Sequence, residues 1–258
     1  MELQLFLHNN LAIHFFYSKE SLGNNLVTVK NLCVVFSGLP NLIDKKYFES
    51  RVNRDTAYLS VYYYGTWLSG GKFTFNNCKK TIKDALQFTK NKTGIRTFDG
   101  KKLGWNFKNL NIIGYSFAAN PVLTAKVNRK DVKAVFLYSP LIYVNKSDIS
   151  KILDKDGADK FIALSRFFLK FLQRGYKYAL RGISDPSWDK YFSGNELSSQ
   201  INLFSQYPPI YIYHGLKDSQ VNPAFSKYFY SINKNITKLF LIKDRGHDKE
   251  LFNLSHLI

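Results

Sequence analysis

The chain has 258 residues, 45% of them apolar, enough for one large domain around a buried sheet and short for two. No apolar stretch approaches the roughly 20 residues that span a bilayer, and two cysteines, Cys33 and Cys78, offer neither a disulfide framework nor a metal-ligand spacing. The net charge of +18 is scattered in ones and pairs such as Lys45-Lys46, Lys79-Lys80, Lys101-Lys102 and Arg129-Lys130, so nucleic-acid binding is not expected as the main role.

That scatter accompanies a general richness in Asn, Ile, Phe and Tyr and reads as a compositional bias; an anionic membrane surface is compatible with the charge but not required by it. The N-terminus, Met1 to His8, lacks a basic head followed by an apolar core, so no secretory signal and a cytoplasmic location are expected. A single domain over residues 1–258, without metal or cofactor, is the expectation.

In chain order, residues 2–30 alternate apolar and polar positions around Asn9-Asn10 and Gly23-Asn24-Asn25, which predicts antiparallel strands. Leu32 to Phe36 is a continuous apolar run, as in a strand buried on both faces, with Cys33 as a small hydrophobe inside it. Ser37-Gly38-Leu39-Pro40 stops that run. Leu42 to Val52 reads as a helix and Ala57 to Tyr64 as the next buried strand, ending in Gly65-Thr66-Trp67-Leu68-Ser69-Gly70-Gly71. Lys79 to Lys90 predicts a helix with Ile82, Ala85, Leu86 and Phe88 toward the core.

Leu110 to Ile113 predicts a short strand feeding Gly114, followed by a helix after Ser116 in which Pro121 removes an N–H. Val132 to Tyr138, Ile210 to Tyr213 and Leu239 to Ile242 are the remaining strand runs. Between Pro140 and Pro208 no strand-like run occurs. There Ile162, Leu164, Phe167, Phe168, Phe171 and Leu172 form a helical apolar stripe, Asp185-Pro186-Ser187-Trp188 interrupts it, and Leu197 to Phe204 reads as a crossover helix. Residues 141–205 are therefore expected to form a helical cap inserted before the last two strands, above the carboxyl ends. Strands alternating with helices imply parallel pairing, with ligands at those ends.

Three polar motifs fall at strand ends: Gly114-Tyr115-Ser116-Phe117-Ala118, then His214-Gly215-Leu216-Lys217-Asp218, then Arg245-Gly246-His247-Asp248. A serine hydroxyl is a poor nucleophile alone; it needs a base to take its proton and an anion to orient that base. Of the five histidines, His8 and His14 belong to the N-terminal strands, His256 to the tail, and His214 is expected to bond within its own loop. His247 is left as the base, with Asp218 ahead of Asp185 and Asp244 as the acid.

The order Ser, Asp, His is that of the α/β-hydrolases, and the stretch from Asp218 through Val221 to Pro223 resembles their acid-bearing loop. Gly114 and Ala118 stand where the sharp strand-to-helix turn of that fold needs small residues, although the last position is usually Gly. The resemblance runs from about Leu32 to the C-terminus and implies an α/β fold: a mostly parallel, twisted sheet with helices on both faces. It also implies an oxyanion hole made by the backbone N–H groups of Phe117 and, by position, Leu39, with Gly38 letting the loop approach. The segment Gly65 to Gly71 also looks like the corresponding loop in stand-alone relatives of the prolyl-oligopeptidase-type catalytic domain. Those peptidases carry a β-propeller for which this chain has no room, which favours an esterase.

The expected activity is that of a serine esterase or related acyl hydrolase acting on a small ester, apolar on its acyl side, through Ser116, Asp218 and His247. A small peptidase or amidase, and a non-catalytic binding protein of the same fold, remain the alternatives.

Overall fold

The structure, a computed structural model, describes residues 1–40, 45–142, 149, 152–186, 188 and 206–247. In chain order its strands are β1 (Glu2–His8), β2 (Leu11–Tyr17), β3 (Leu22–Gly23), β4 (Leu26–Phe36), β5 (Thr56–Val61) and β6 (Thr93–Ile95). These are followed by β7 (Lys102–Tyr115), β8 (Ala134–Tyr138), β9 (Ile210–Gly215) and β10 (Thr237–Ile242). Among the described residues they form one sheet in the order β1-β2-β5-β4-β7-β8-β9-β10, with β3 and β6 as short antiparallel partners of β4 and β7.

β1 and β2 pair antiparallel across Asn9 and Asn10, both at positive φ, the geometry that two-residue hairpins need and Asn tolerates. β2 runs antiparallel to β5, and from β5 to β10 every neighbour is parallel. The antiparallel lead ends earlier than the alternation implies. Leu26 to Lys30 already belongs to β4, alternately exposed and buried, and pairs in parallel with β7. β7 is likewise far longer than its apolar run, because the strand continues through Asn106 to Asn109, none of them buried, to the buried Leu103, Gly104 and Trp105.

The helices are α1 (Lys45–Glu49), α2 (Phe75–Lys90), α3 (Ala119–Thr124), α4 (Lys155–Gly175) and α5 (Ala224–Ile232). α2 begins four residues before the expected start because Thr74 caps it, its hydroxyl accepting the Asn77 N–H at 3.2 Å. α3 is short, and Pro121 lies in its first turn, where no N–H is required. α5 follows Pro223, with Phe225 and Phe229 inward. The expected helix over Leu42 to Val52 is reduced to α1 within the described residues, and Leu197 to Phe204 lies outside them.

Helices cover both faces. Phe48 of α1 packs with Phe16, Val35 and Tyr58 on one, while Ile82 and Phe88 of α2 and Val122 of α3 join the larger core on the other. α4 is capped by Asp154, which accepts the Gly157 N–H at 2.7 Å, and buries Ala158, Ser165, Leu169 and Leu172. The chain after α4 is fastened to the loop after β5: Trp67 N–H donates to Ala179 O at 2.8 Å and Arg181 N–H to Gly65 O at 2.7 Å. Trp67 Nε1 in turn donates to Pro40 O at 2.8 Å, tying that loop to the one after β4.

From β4 the chain moves to β5 on one side and later returns to β7 on the other. The carboxyl ends of β4 and β7 therefore flank a topological switch point, the place where open α/β sheets form a ligand crevice. Phe36 and Gly114 are register partners there.

Candidate active site

β7 delivers Ser116 at φ +51°, a left-handed conformation that a non-glycine residue holds only at a cost in strain. The turn is crowded. A Cβ on Gly114 would lie 3.0 Å from Leu137 Cδ2 and 3.6 Å from Ala118 Cβ, so the small residues on either side of Ser116 have a packing reason, and Ala is tolerated at 118. Ser116 O accepts the Leu141 N–H at 2.9 Å, which anchors the turn to the end of β8.

The loop after β4 comes equally close. A Cβ on Gly38 would approach Ser116 Cβ to 3.0 Å and Tyr115 Cδ1 to 3.3 Å, so any larger residue would push this loop away from the serine. Next to it, the Leu39 N–H has no acceptor among the described residues. Leu39 and Phe117 both line a cavity of about 320 Å³ that also contains Ser116, Leu141, Phe168 and His247.

β9 and β10 supply the other two groups. Asp218 Oδ1 accepts the N–H groups of Gln220 (2.9 Å) and Val221 (2.8 Å), leaving Oδ2 to face His247 Nδ1 at 2.8 Å. A carboxylate only accepts, so the proton between them sits on Nδ1, and when the ring is neutral Nε2 is the acceptor. The Tyr115 hydroxyl donates to His247 O at 3.1 Å and steadies the histidine loop from β7.

Gly215 makes this contact sterically feasible. A Cβ there would fall 2.2 Å from Arg245 O and 2.6 Å from Gly246 O, and the Lys217 N–H donates to Arg245 O at 2.8 Å. The two loops thus cross backbone to backbone.

His214 is fully buried and does more than bond within its own loop. Its Nε2 is 3.0 Å from Val221 O and 3.2 Å from Asp218 Oδ2, and its Nδ1 is 2.7 Å from Ser226 Oγ on α5. Burial alone would raise the Asp218 carboxyl. The bonds from His214, His247 and the Val221 N–H, with the charge of His247, instead hold it well below the usual carboxylate range. The site therefore carries a fixed anion beside an imidazole.

The structure brings Ser116, Asp218, His247, Leu39 and Phe117 to one end of the sheet. Ser116 Oγ and His247 line one cavity without a hydrogen bond between them. Asp185 and Asp244 are placed elsewhere, the latter exposed and paired with Lys217 at 2.6 Å. Sequence reasoning missed Tyr115, the crossing at Gly215, and the contact of His214 with Asp218. Only Gly215 had a local signal, a glycine where a strand ends in a polar loop. Among the described residues no cluster of His, Cys, Asp or Glu could hold a metal ion, and no helix is long and apolar enough to cross a membrane. Both cysteines are free and buried; burial pushes the Cys33 thiol up to about 12, so it stays a neutral core group.

No protein-family model and no curated protein matches the sequence. Solved structures do match in shape. Est1E from Butyrivibrio proteoclasticus superposes with a TM-score of 0.59 at 16% identity, over 100% of this chain and 96% of its own. A putative aryl esterase from Burkholderia cenocepacia gives 0.56 at 12% identity, over 99% and 95%. An alpha/beta hydrolase enzyme from the metagenome of lagoon sediments at Mar Chica, Morocco, gives 0.58 at 13% identity, over 98% and 93%. With its parallel sheet, its helices on both faces and these likenesses across nearly the whole length, the chain has the fold of the α/β-hydrolase superfamily.

Proposed function

We propose that the protein is a serine hydrolase that cleaves carboxylic esters through an acyl-enzyme. The observation that carries this reading is one cavity holding Ser116 at positive φ together with His247, whose Nδ1 is 2.8 Å from Asp218. In this reading His247 Nε2 takes the proton of Ser116 Oγ as the oxygen attacks the ester carbonyl. Asp218 stabilises the imidazolium, and the N–H groups of Leu39 and Phe117 receive the oxyanion, each donor worth about 3 kcal/mol in the transition state. His247 returns the proton to the departing alcohol, and water then releases the acid by the same route.

Residues 141–205 are proposed as the cap. In support, α4 places Phe161, Leu164, Phe167 and Phe168 along a cavity of about 280 Å³ that shares Ser116 and His247 with the first. Such a wall suits an apolar acyl group. The named esterases among the structural likenesses favour ester over amide as the substrate bond. The testing experiment is labelling with a fluorophosphonate, followed by hydrolysis of aryl esters beside aminoacyl amides. Labelling with ester turnover is the expected result; turnover of amides alone would assign the site to a peptidase.

Two further outcomes are expected. Gly215→Ala should displace the histidine loop and lower kcat/KM on a short aryl ester by at least ~10²-fold, the scale of loss for about an ångström of misplacement. Circular dichroism of that variant reports whether the sheet is retained. Phe168→Ala should change the acyl chain-length profile more than it changes turnover of the shortest ester, because Phe168 lines both cavities and is partly exposed. A uniform loss at every chain length, with a lower Tm, would show Phe168 to be a packing residue.

A further inference from the structure

α4 presents two apolar rows, and only one is buried. Ala158, Leu169 and Leu172, with the polar Ser165 among them, face the core, whereas Leu164, Phe167, Phe168 and Phe171 are 65%, 70%, 39% and 52% exposed. The exposed set repeats at i, i+3, i+4 and i+7, so it forms one continuous stripe on the helix. Adjacent apolar exposure of this kind on a stable surface marks a contact with something else.

Beside the stripe itself the charge is of one sign, and the exposed acids of α4, Asp156 and Asp159, precede it in the first turns of the helix. From Lys160 to Lys177 the chain contains Lys160, Arg166, Lys170, Arg174 and Lys177, all exposed, and no acidic residue. With 3.6 residues per turn, Lys160, Lys170 and Arg174 lie along the edge of the stripe that faces away from the buried row. A second copy of this chain would bring the same cations, on a molecule of net charge +18, against them. An anionic surface with an apolar interior meets both features at once.

We propose that the exposed face of α4 docks the protein on anionic lipid bilayers, with Phe167 and Phe171 entering the headgroup boundary and the flanking cations meeting the lipid charge. Because Leu164, Phe167 and Phe168 also line the cavity that contains Ser116, docking sets the mouth of that cavity against the lipid. Only this last consequence, delivery of a lipid-borne ester to Ser116, rests on the hydrolase reading.

The test is co-sedimentation of the full chain with phosphatidylcholine vesicles, with and without phosphatidylserine. Binding is expected to be at least ~10-fold stronger with phosphatidylserine and to fall as salt is added. Phe171→Asp, and separately the pair Lys170→Glu and Arg174→Glu, should each weaken it about tenfold. Neither variant should alter Tm or the turnover of a soluble short ester. The pair Lys101→Glu and Lys102→Glu, at the amino end of β7 and away from the site, should stay within about twofold of the parent. Absent binding, equal binding to both vesicles, or an equal loss in the β7 pair would overturn the proposal. So would a dimer that Phe171→Asp dissolves in the absence of vesicle binding, which would make a second copy the occupant. A protein that binds vesicles but hydrolyses no ester would retain this inference and lose the hydrolase reading.

Discussion

Ser116→Ala is expected to abolish both ester hydrolysis and fluorophosphonate labelling, while the protein folds and binds ligand as before. The substitution removes one hydroxyl from a turn whose other requirements, small residues at 114 and 118, are untouched. In a serine protease, loss of the nucleophile costs about 10⁶ in kcat, and a loss on that order is expected here in a single-turnover assay. In the proposed mechanism the residual rate would report what the N–H groups of Leu39 and Phe117 contribute without a nucleophile. Labelling that survives the change would place the reactive hydroxyl elsewhere and remove the reading of the turn.

The second large effect belongs to Asp218. Asp218→Asn should reduce kcat by about 10⁴, the scale known for the equivalent change in a serine protease, where the wrong histidine tautomer results. Its pH signature is distinctive. The Asp218 carboxyl is held below its ordinary value in the folded protein, so it contributes stability above the unfolded carboxyl pKa, and that contribution fades as pH falls through the lower folded value. The difference in unfolding free energy between wild type and Asp218→Asn should therefore be flat from neutral pH to about 5 and shrink on further acidification. A difference that grows with acid would mean that Asp218 is not the stabilised anion. Asp185→Asn and Asp244→Asn, changed in parallel, should leave kcat near wild type.

The groups at the strand ends were legible because each motif is contiguous and follows its own apolar run. Gly114 to Ala118, Gly215 to Asp218 and Gly246-His247 needed no knowledge of distant residues to be found. Strand lengths were not legible in the same way. The amino-terminal halves of β4 and β7 pair only with each other and with β3 and β6, so one side of each alternates with solvent and the apolar run understates the strand. α4 was visible as a period, yet the period could not say which row would be buried. The structure buries Leu169 and Leu172 and exposes Phe167 and Phe171. Contacts between loops were beyond reach, since the crossing of Gly215 with Arg245 and the bond from Tyr115 to His247 join segments brought together only by sheet order.

β10 has a neighbour on one side only among the described residues, and most of its length is partly or fully exposed. Edge elements with few buried contacts open at lower free energy than the sheet as a whole. His247 hangs from this edge, whereas Ser116 hangs from a strand hydrogen-bonded on both sides. Fraying of one strand would thus carry the imidazole away from an otherwise intact Ser116 turn. Heat or mild denaturant should then silence the proposed hydrolysis at conditions where most backbone amides are still protected from exchange, and cooling should restore it without refolding.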